Sequence, residues 1–265
     1  MDESSLPAYN LATMDEDRAL IVSEPCPYIP GETSTAEVFK ADGGLDRYEE
    51  LIPQGWRRSG SLLYRYRCAG CARCIPIRLP ASRIQGGKRL SRLLSVNSDL
   101  SLRLLPSKFS DEHFRLYEKY CKARHPETDF SGEEGYRDMI GSPLTAITEY
   151  RDATDRLCGA GIVDILPSGL SSVYFIFDPD EGRRSLGYYS VFIEASLAMR
   201  MGKPFYYLGF WVPGAPKMEY KADFHPLQVA VALRDGGDTD QVNPSWMEFP
   251  GKSQALAWLS AASQR

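Results

Sequence analysis

The sharpest local pattern that could do chemistry is a Cys-x-x-Cys-x-x-Cys run, Cys68, Cys71 and Cys74, with Cys26 alone upstream. Two-residue spacing lets neighbouring thiolates turn toward one metal, and three or four sulfurs suffice for Zn²⁺ or an iron–sulfur cluster. Cys26 is the candidate fourth ligand. The run is not a full pair of Cys-x-x-Cys motifs, and Arg78 stands where a ferredoxin-type run carries its fourth cysteine. Reduced structural thiols are the plainer alternative. Cys121 and Cys158 read as small buried hydrophobes rather than nucleophiles. Six cysteines in 265 residues do not make a disulfide scaffold.

The second pattern is charge. The chain carries −4 overall, yet residues 56–103 hold eleven Lys/Arg against one acid, Asp99, which leaves −14 for the remainder. An acidic protein with one basic stretch suits a polyanion met on one side. Other catalytic signatures are missing: there is no Gly-x-Ser-x-Gly elbow, P-loop or dinucleotide motif, and His113, His125 and His225 are far apart. No apolar run reaches membrane length, and the first twenty residues lack a basic start and an apolar core. The expectation is a soluble, cytoplasmic protein with no membrane partner.

The elements that position these residues read as an α+β chain. Residues 1–20 are expected to be a mobile acidic tail, and residues 25–31 a Pro/Gly-bounded loop. A short helix over 46–53 ends near Gly55. Strands follow at 61–67 and 75–79, and Leu90, Leu93 and Leu94 mark a helix. A small basic, cysteine-containing domain over 21–100 results. Beyond it, 111–124 reads as an amphipathic helix, and Ser131 with Glu134 has capping-box spacing. Strands at 144–150, 159–166 and 171–177, a helix over 186–201, and strands at 205–210 and 227–233 complete a domain over 101–240. That order is the order of a GNAT-like acyltransferase with a mostly antiparallel sheet. Residues 241–265 stay unassigned apart from a short helix over 255–261.

The residues also resemble a known family. Pro25-Cys26-Pro27-Tyr28-Ile29-Pro30-Gly31, Gly55-Trp56-Arg57-Arg58-Ser59-Gly60 and Tyr64-Arg65 come first. The cysteine run with Ile75-Pro76-Ile77-Arg78, then Asn97-Ser98-Asp99-Leu100 and Arg124-His125-Pro126, follow. The second half carries Tyr174-Phe175-Ile176-Phe177-Asp178-Pro179, Arg184-Ser185-Leu186-Gly187, Tyr206-Tyr207-Leu208-Gly209-Phe210 and Lys217-Met218-x-Tyr220-Lys221. In this order the chain resembles the arginyl-tRNA–protein transferases, above all their short bacterial branch, the aspartate/glutamate leucyltransferases. The resemblance implies transfer of an aminoacyl group from leucyl-tRNA, or from arginyl-tRNA by the same mechanism, to the N-terminal amine of proteins starting with Asp or Glu. Such a product is a degradation signal.

This chemistry asks for no cofactor, triad or covalent nucleophile; a structural Zn²⁺ or iron–sulfur group stays open. An aminoacyl ester is already activated, and an α-amine with a pKa of ~7.7–8.0 is partly neutral near physiological pH. Alignment and oxyanion stabilisation are what remain to be supplied. Arg57 and Arg58, helped by Arg78, are expected to read the acidic side chain, because a guanidinium pairs a carboxylate bidentately. Lys217, Tyr220 and Lys221 are expected at the tRNA acceptor end or the oxyanion, and Ser185 at a helix start where an oxyanion sits. Tyr206 and Tyr207 are candidates to stack on the terminal adenine, and Arg83, Lys88, Arg89 and Arg92 to contact tRNA phosphates. Two other readings are an acyl-CoA transferase, whose pyrophosphate loop the 183–187 spacing lacks, and a metal-stabilised RNA-binding protein without catalysis.

Overall fold

A computed structural model describes residues 19–41, 44–124, 132–231 and 244–262. The expected tail up to residue 18, the Ser131 cap and His125-Pro126 lie outside them. Twelve strands among the described residues form two sheets.

The small sheet has the order β1–β2–β4–β3, from β1 (Leu20–Pro25), β2 (Thr33–Lys40), β3 (Arg57–Ser59) and β4 (Leu62–Tyr66), all antiparallel. Helix α1 (Gly44–Leu51) and a 3₁₀ turn over Ile52–Gln54 lead into β3, close to the expected helix. Their Tyr48 and Ile52 pack with Trp56 and Leu63 against Tyr207 and Leu166, so the small sheet is held on the large one by a shared core.

The large sheet runs β12–β11–β5–β10–β9–β8–β7–β6. Its strands are β5 (Ile75–Pro80), β6 (Ser101–Pro106), β7 (Thr145–Arg151), β8 (Leu157–Leu166), β9 (Gly169–Phe177), β10 (Phe205–Trp211), β11 (Leu227–Val231) and β12 (Ser245–Phe249). Among the described residues only β9 and β10 pair in parallel, which gives the mostly antiparallel sheet the element order implies. Helix α5 (Leu186–Arg200) is the crossover between them, as a parallel pair requires. It is apolar on most sides because the sheet lies beneath it and α2 (Gly87–Val96) packs beside it. The other face is covered by α3 (Asp111–Arg124) and α4 (Gly132–Ile140) over β7–β9, where Leu116, Tyr117, Tyr136 and Met139 meet Ile147, Ile162 and Ile176. A single turn, α6 (Pro216–Glu219), precedes β11, and α7 (Lys252–Ala262) follows β12.

Two placements differ from the sequence reading. Strand β5, expected inside the small domain, is hydrogen-bonded between β11 and β10, because Ile75, Ile77 and Leu79 alternate into the core under α5. The unassigned C-terminal residues supply β12, the edge strand beside β11, and α7, whose Ala255 is buried under the same core. No helix among the described residues is long and apolar enough to cross a membrane.

Candidate active site

The parallel pair is short. β10 meets β9 at Phe205–Gly169, Tyr206–Leu170 and Tyr207–Ser171, and beyond Ser171 and Tyr207 the two strands part. A bulge between Tyr207 and Gly209 in the pairing of β10 with β5 marks the same point. A bulge bends its strand and frees backbone groups from the ladder. The result is a wedge that opens from Ser172 on one side and Gly209 on the other.

Two cations close on that wedge. The Arg57 guanidinium and the Lys221 ammonium both approach Gly209, which has φ +89°. A Cβ there would lie 3.2 Å from Arg57 Nη2 and 3.3 Å from Lys221 Nζ. Glycine therefore serves both the left-handed backbone and the close approach. Arg57 Nη1 donates to Ser171 Oγ at 3.2 Å and Nη2 donates to the Ser172 carbonyl, while Tyr48 Oη and Ser171 Oγ are 3.0 Å apart. Arg57 is 4% exposed, and no carboxylate among the described residues pairs with it. A buried charge held by neutral groups alone is costly, so an uncompensated guanidinium marks a place for an anion.

Arg78, on β5, is the second such group. Its Nε donates to Gln228 Oε1 at 2.7 Å and Nη1 to Tyr207 Oη at 3.4 Å. The guanidinium carbon lies 3.6 Å from the centroid of Phe205 and 4.2 Å from that of Trp246. Burial lowers its pKa, with Tyr207 acting the other way, and it too holds no carboxylate among the described residues.

Beneath β10, Glu194 on α5 is buried at 1% exposure. It accepts hydrogen bonds from Tyr206 Oη at 2.6 Å, Thr148 Oγ1 at 2.9 Å and Tyr150 Oη at 3.4 Å. Burial pushes its carboxyl up to about 7 against these donors. Gly161 leaves the room this carboxyl occupies, since a Cβ there would fall 2.2 Å from Glu194 Oε1.

The sequence matches the profile "Arginine-tRNA-protein transferase, N terminus" over residues 24–92 and "Arginine-tRNA-protein transferase, C terminus" over 112–231. The chain is 39% identical over 212 residues to an aspartate/glutamate leucyltransferase of Nitrosococcus oceani, covering 78% of this chain and 89% of that one. It is 37% identical over 210 residues to the protein of that name from Alkalilimnicola ehrlichii, covering 77% and 88%. The chain belongs to the arginine-tRNA-protein transferase family. Membership makes it an aminoacyltransferase rather than a passive RNA-binding module.

Not all the residues expected to serve this family's chemistry sit at the wedge. Arg57 and Lys221 do, and Arg78 lies one strand away beside Tyr207. Arg58 does not. It crosses to β8, where Nε and Nη2 grip Asp164 at 2.7 and 2.8 Å, and it also donates to Gly60 O, Met139 O and Thr145 Oγ1. Its donors are committed to the fold, which corrects its assignment to substrate. Tyr206 and Tyr207 are 1% and 2% exposed, with their hydroxyls on Glu194 and Arg78, so neither ring offers a face to adenine. The expectation that these two stack on the base is corrected by this burial. Tyr220 is half-buried and meets Tyr188 at 5.3 Å between centroids.

Lys217 is exposed on α6, its Nζ 3.5 Å from the Arg124 carbonyl, and Arg57 and Lys221, not Lys217, supply the atoms nearest a Cβ at Gly209. Ser185 is exposed at the start of α5 with φ 51° and ψ 47°, and its carbonyl accepts from Tyr188 and Tyr189 N–H. Of the basic residues on and before α2, Arg83 is held by Glu248 at 2.7 and 2.6 Å. Arg89 pairs with Asp223 at 3.2 Å and lies 3.6 Å over the Tyr188 ring. Lys88 and Arg92 are exposed, with no partner among the described residues. Ser171, Gly209, Gln228 and Trp246 were missed, because small or neutral residues give no signal until a cation is seen leaning on them.

The cysteines do not form a ligand set. Cys68 Sγ accepts from the Thr35 N–H at 3.3 Å, Cys71 is exposed, and no three His, Cys, Asp or Glu among the described residues are grouped to hold a metal ion. Cys26, Cys68, Cys71 and Cys74 therefore do not fit a preformed metal centre, and no step below passes through one. Cys121 and Cys158 are buried, in keeping with their reading as small hydrophobes.

Proposed function

We propose that this family member moves leucine from leucyl-tRNA to the N-terminal amine of proteins beginning with Asp or Glu, and that the transfer takes place at the wedge between β9 and β10. The observation that carries the reading is a pair of buried or half-buried guanidinium groups, Arg57 and Arg78, bound only to neutral acceptors beside a parted parallel strand pair. An acidic side chain supplies the missing negative charge. Aspartate/glutamate leucyltransferase is the name of both relatives above, which favours leucine over arginine as the donor group.

The neutral amine attacks the ester carbonyl carbon, and the carbonyl oxygen takes the electron pair as an oxyanion. Lys221 Nζ, beside Arg57 in the wedge, stabilises that charge, where a positioned cation in a water-poor site is worth more than in water. The C–N bond forms, the ester C–O bond breaks, and the proton lost by the amine ends on the departing ribose oxygen. Alignment of two already reactive groups supplies much of the rate. Lys88 and Arg92, on the exposed side of α2, meet the tRNA backbone, and Tyr188 with Tyr220 offers the half-buried aromatic surface beside the start of α5.

The test is a transfer assay with purified protein, peptides starting with Asp, Glu or Ala, and leucyl- and arginyl-tRNA in parallel. Leucine on the acidic peptides alone is the expected result. Arginine instead would keep the mechanism and change the donor, and stable tRNA binding without transfer would remove the reading.

A further inference from the structure

Strand β12 lies beyond the last residue of the family match, Val231, yet it reaches the site. Trp246 on it lies 4.2 Å from the Arg78 guanidinium carbon, and its Nε1 donates to the Pro53 carbonyl at 2.6 Å, which fixes the indole. Its ring meets Tyr207 edge-on at 6.1 Å. The same strand acts on Arg78 a second time, through hydrogen bonds. Glu248 accepts from Gln228 Nε2 at 3.0 Å, so the Gln228 amide oxygen is turned to receive Arg78 Nε at 2.7 Å. Bidentate pairing with Arg83, at 2.7 and 2.6 Å, holds Glu248 in place. One strand thus sets both the plane and the rotation of the guanidinium.

We propose that Trp246 is a specificity-determining residue: it forms one wall of the pocket in which Arg78 receives the carboxylate of an N-terminal Asp or Glu. The inference deepens the function proposed above and rests on Arg78 being a carboxylate reader. An aromatic face holds a guanidinium by cation–π attraction and leaves its in-plane N–H edge for a carboxylate. Nε and one Nη1 hydrogen are engaged by Gln228 and Tyr207, and the remaining Nη edge has no partner among the described residues. An arginine fixed in advance loses little freedom when it binds, so the wall contributes to substrate affinity rather than to the chemical step.

The experiment compares wild type, Trp246→Ala and Trp246→Phe in steady-state transfer. It varies the Asp-starting peptide and the leucyl-tRNA separately, with thermal unfolding and calorimetric binding of the Asp-starting peptide alongside. Trp246→Ala should raise KM for the peptide about tenfold and weaken peptide binding to match, with kcat and the KM for tRNA within about twofold of wild type. Trp246→Phe, which keeps an aromatic face, should recover most of the loss. Unchanged peptide affinity in Trp246→Ala would overturn the proposal. So would a loss shared by both substrates with a lowered melting temperature, since that is what a purely structural tryptophan would give. A wild type that binds the acidic peptide but transfers nothing would sink the transfer reading alone, and the binding data would still judge Trp246. A wild type that neither binds nor transfers would remove both.

Discussion

At the rim formed by β7, β8 and the turn before α5, three arginines grip carboxylates, while a fourth, Arg183, is exposed and has no such partner among the described residues. Arg151 holds Glu149 and Glu112, Arg156 holds Asp152, Asp178 and Glu181, and Arg184 holds Asp99 and Glu181. At the wedge between β9 and β10, Arg57 and Arg78 lie on a serine, a carbonyl, a glutamine and a phenol. The same side chain is a structural tie in one region and an open charge in the other. The division even runs between neighbours, since Arg57 lands on neutral atoms of β9 and Arg58 lands on Asp164 of β8. Basic residues do not announce a site by their number; the partner each one lacks is the informative quantity.

The largest effect expected from this comparison is on folding. Arg58→Ala removes six hydrogen bonds and leaves Asp164, which has no exposed surface, without its cation. Breaking a buried pair from one side costs about 3–5 kcal/mol. Chemical denaturation should show a loss of that size. If Arg58→Ala instead keeps wild-type stability and loses only acidic-peptide recognition, the division between the two arginines is wrong.

Arg57→Ala should behave the other way. Its loss removes charge-assisted hydrogen bonds to neutral groups but also relieves a buried charge that no carboxylate compensates, so the net stability change is expected within about 1 kcal/mol. Transfer to an Asp-starting peptide should fall about 100-fold, which corresponds to about 2.7 kcal/mol. An Arg57→Ala protein with near-normal kcat/KM would remove Arg57 from the wedge chemistry.

The fold was largely readable, and the reason is periodicity. Residues 111–124 carry a helical stripe and become α3 at those bounds, and the runs at 144–150, 159–166 and 171–177, separated by turn residues, become β7 to β9. What escaped was non-local. Nothing in residues 75–80 says that β5 leaves its chain neighbours to sit between β11 and β10. Nothing in 245–249 says that this strand completes the sheet. The site was half legible for the same reason. Motif resemblance picked out Arg57, Arg78 and Lys221, yet whether Arg57 or Arg58 is free depends on Asp164, 106 residues from Arg58. The tyrosines of β10 read as a stacking surface because burial cannot be seen in two adjacent letters.

Glu194 sharpens the comparison from the acidic side, as a buried carboxylate with hydroxyl donors and no cation. Its pKa is raised from 4.5 to about 7, so the folded state binds the proton more tightly than the unfolded chain. That contribution is fully present below pH 4.5 and lost as pH rises through about 7. Glu194→Gln should therefore gain stability relative to wild type as pH climbs from 4.5 to 8, by on the order of 2–3 kcal/mol. Glu149 acts in the opposite sense. The Arg151 hydrogen bond, opposed by burial, holds it down to about 2, so its contribution is lost only as pH falls below 4.5. Denaturant midpoints across pH 2–8 separate the two windows, and a flat difference between Glu194→Gln and wild type from pH 4.5 to 8 would refute the assignment.

The smallest effect belongs to the rim itself. Arg156 is nearly half exposed although three carboxylates surround it, and solvent screens what they contribute. Exposed ion pairs typically contribute between nothing and about 1 kcal/mol. Arg156→Ala should therefore cost no more than about 1 kcal/mol, and less in high salt. Transfer should be unchanged, because no atom of Arg156 approaches Gly209 or Arg78 among the contacts described. An Arg156→Ala protein that folds normally but loses transfer would mean that compensation by carboxylates does not mark an arginine as structural, and the contrast between rim and wedge would fail at its base.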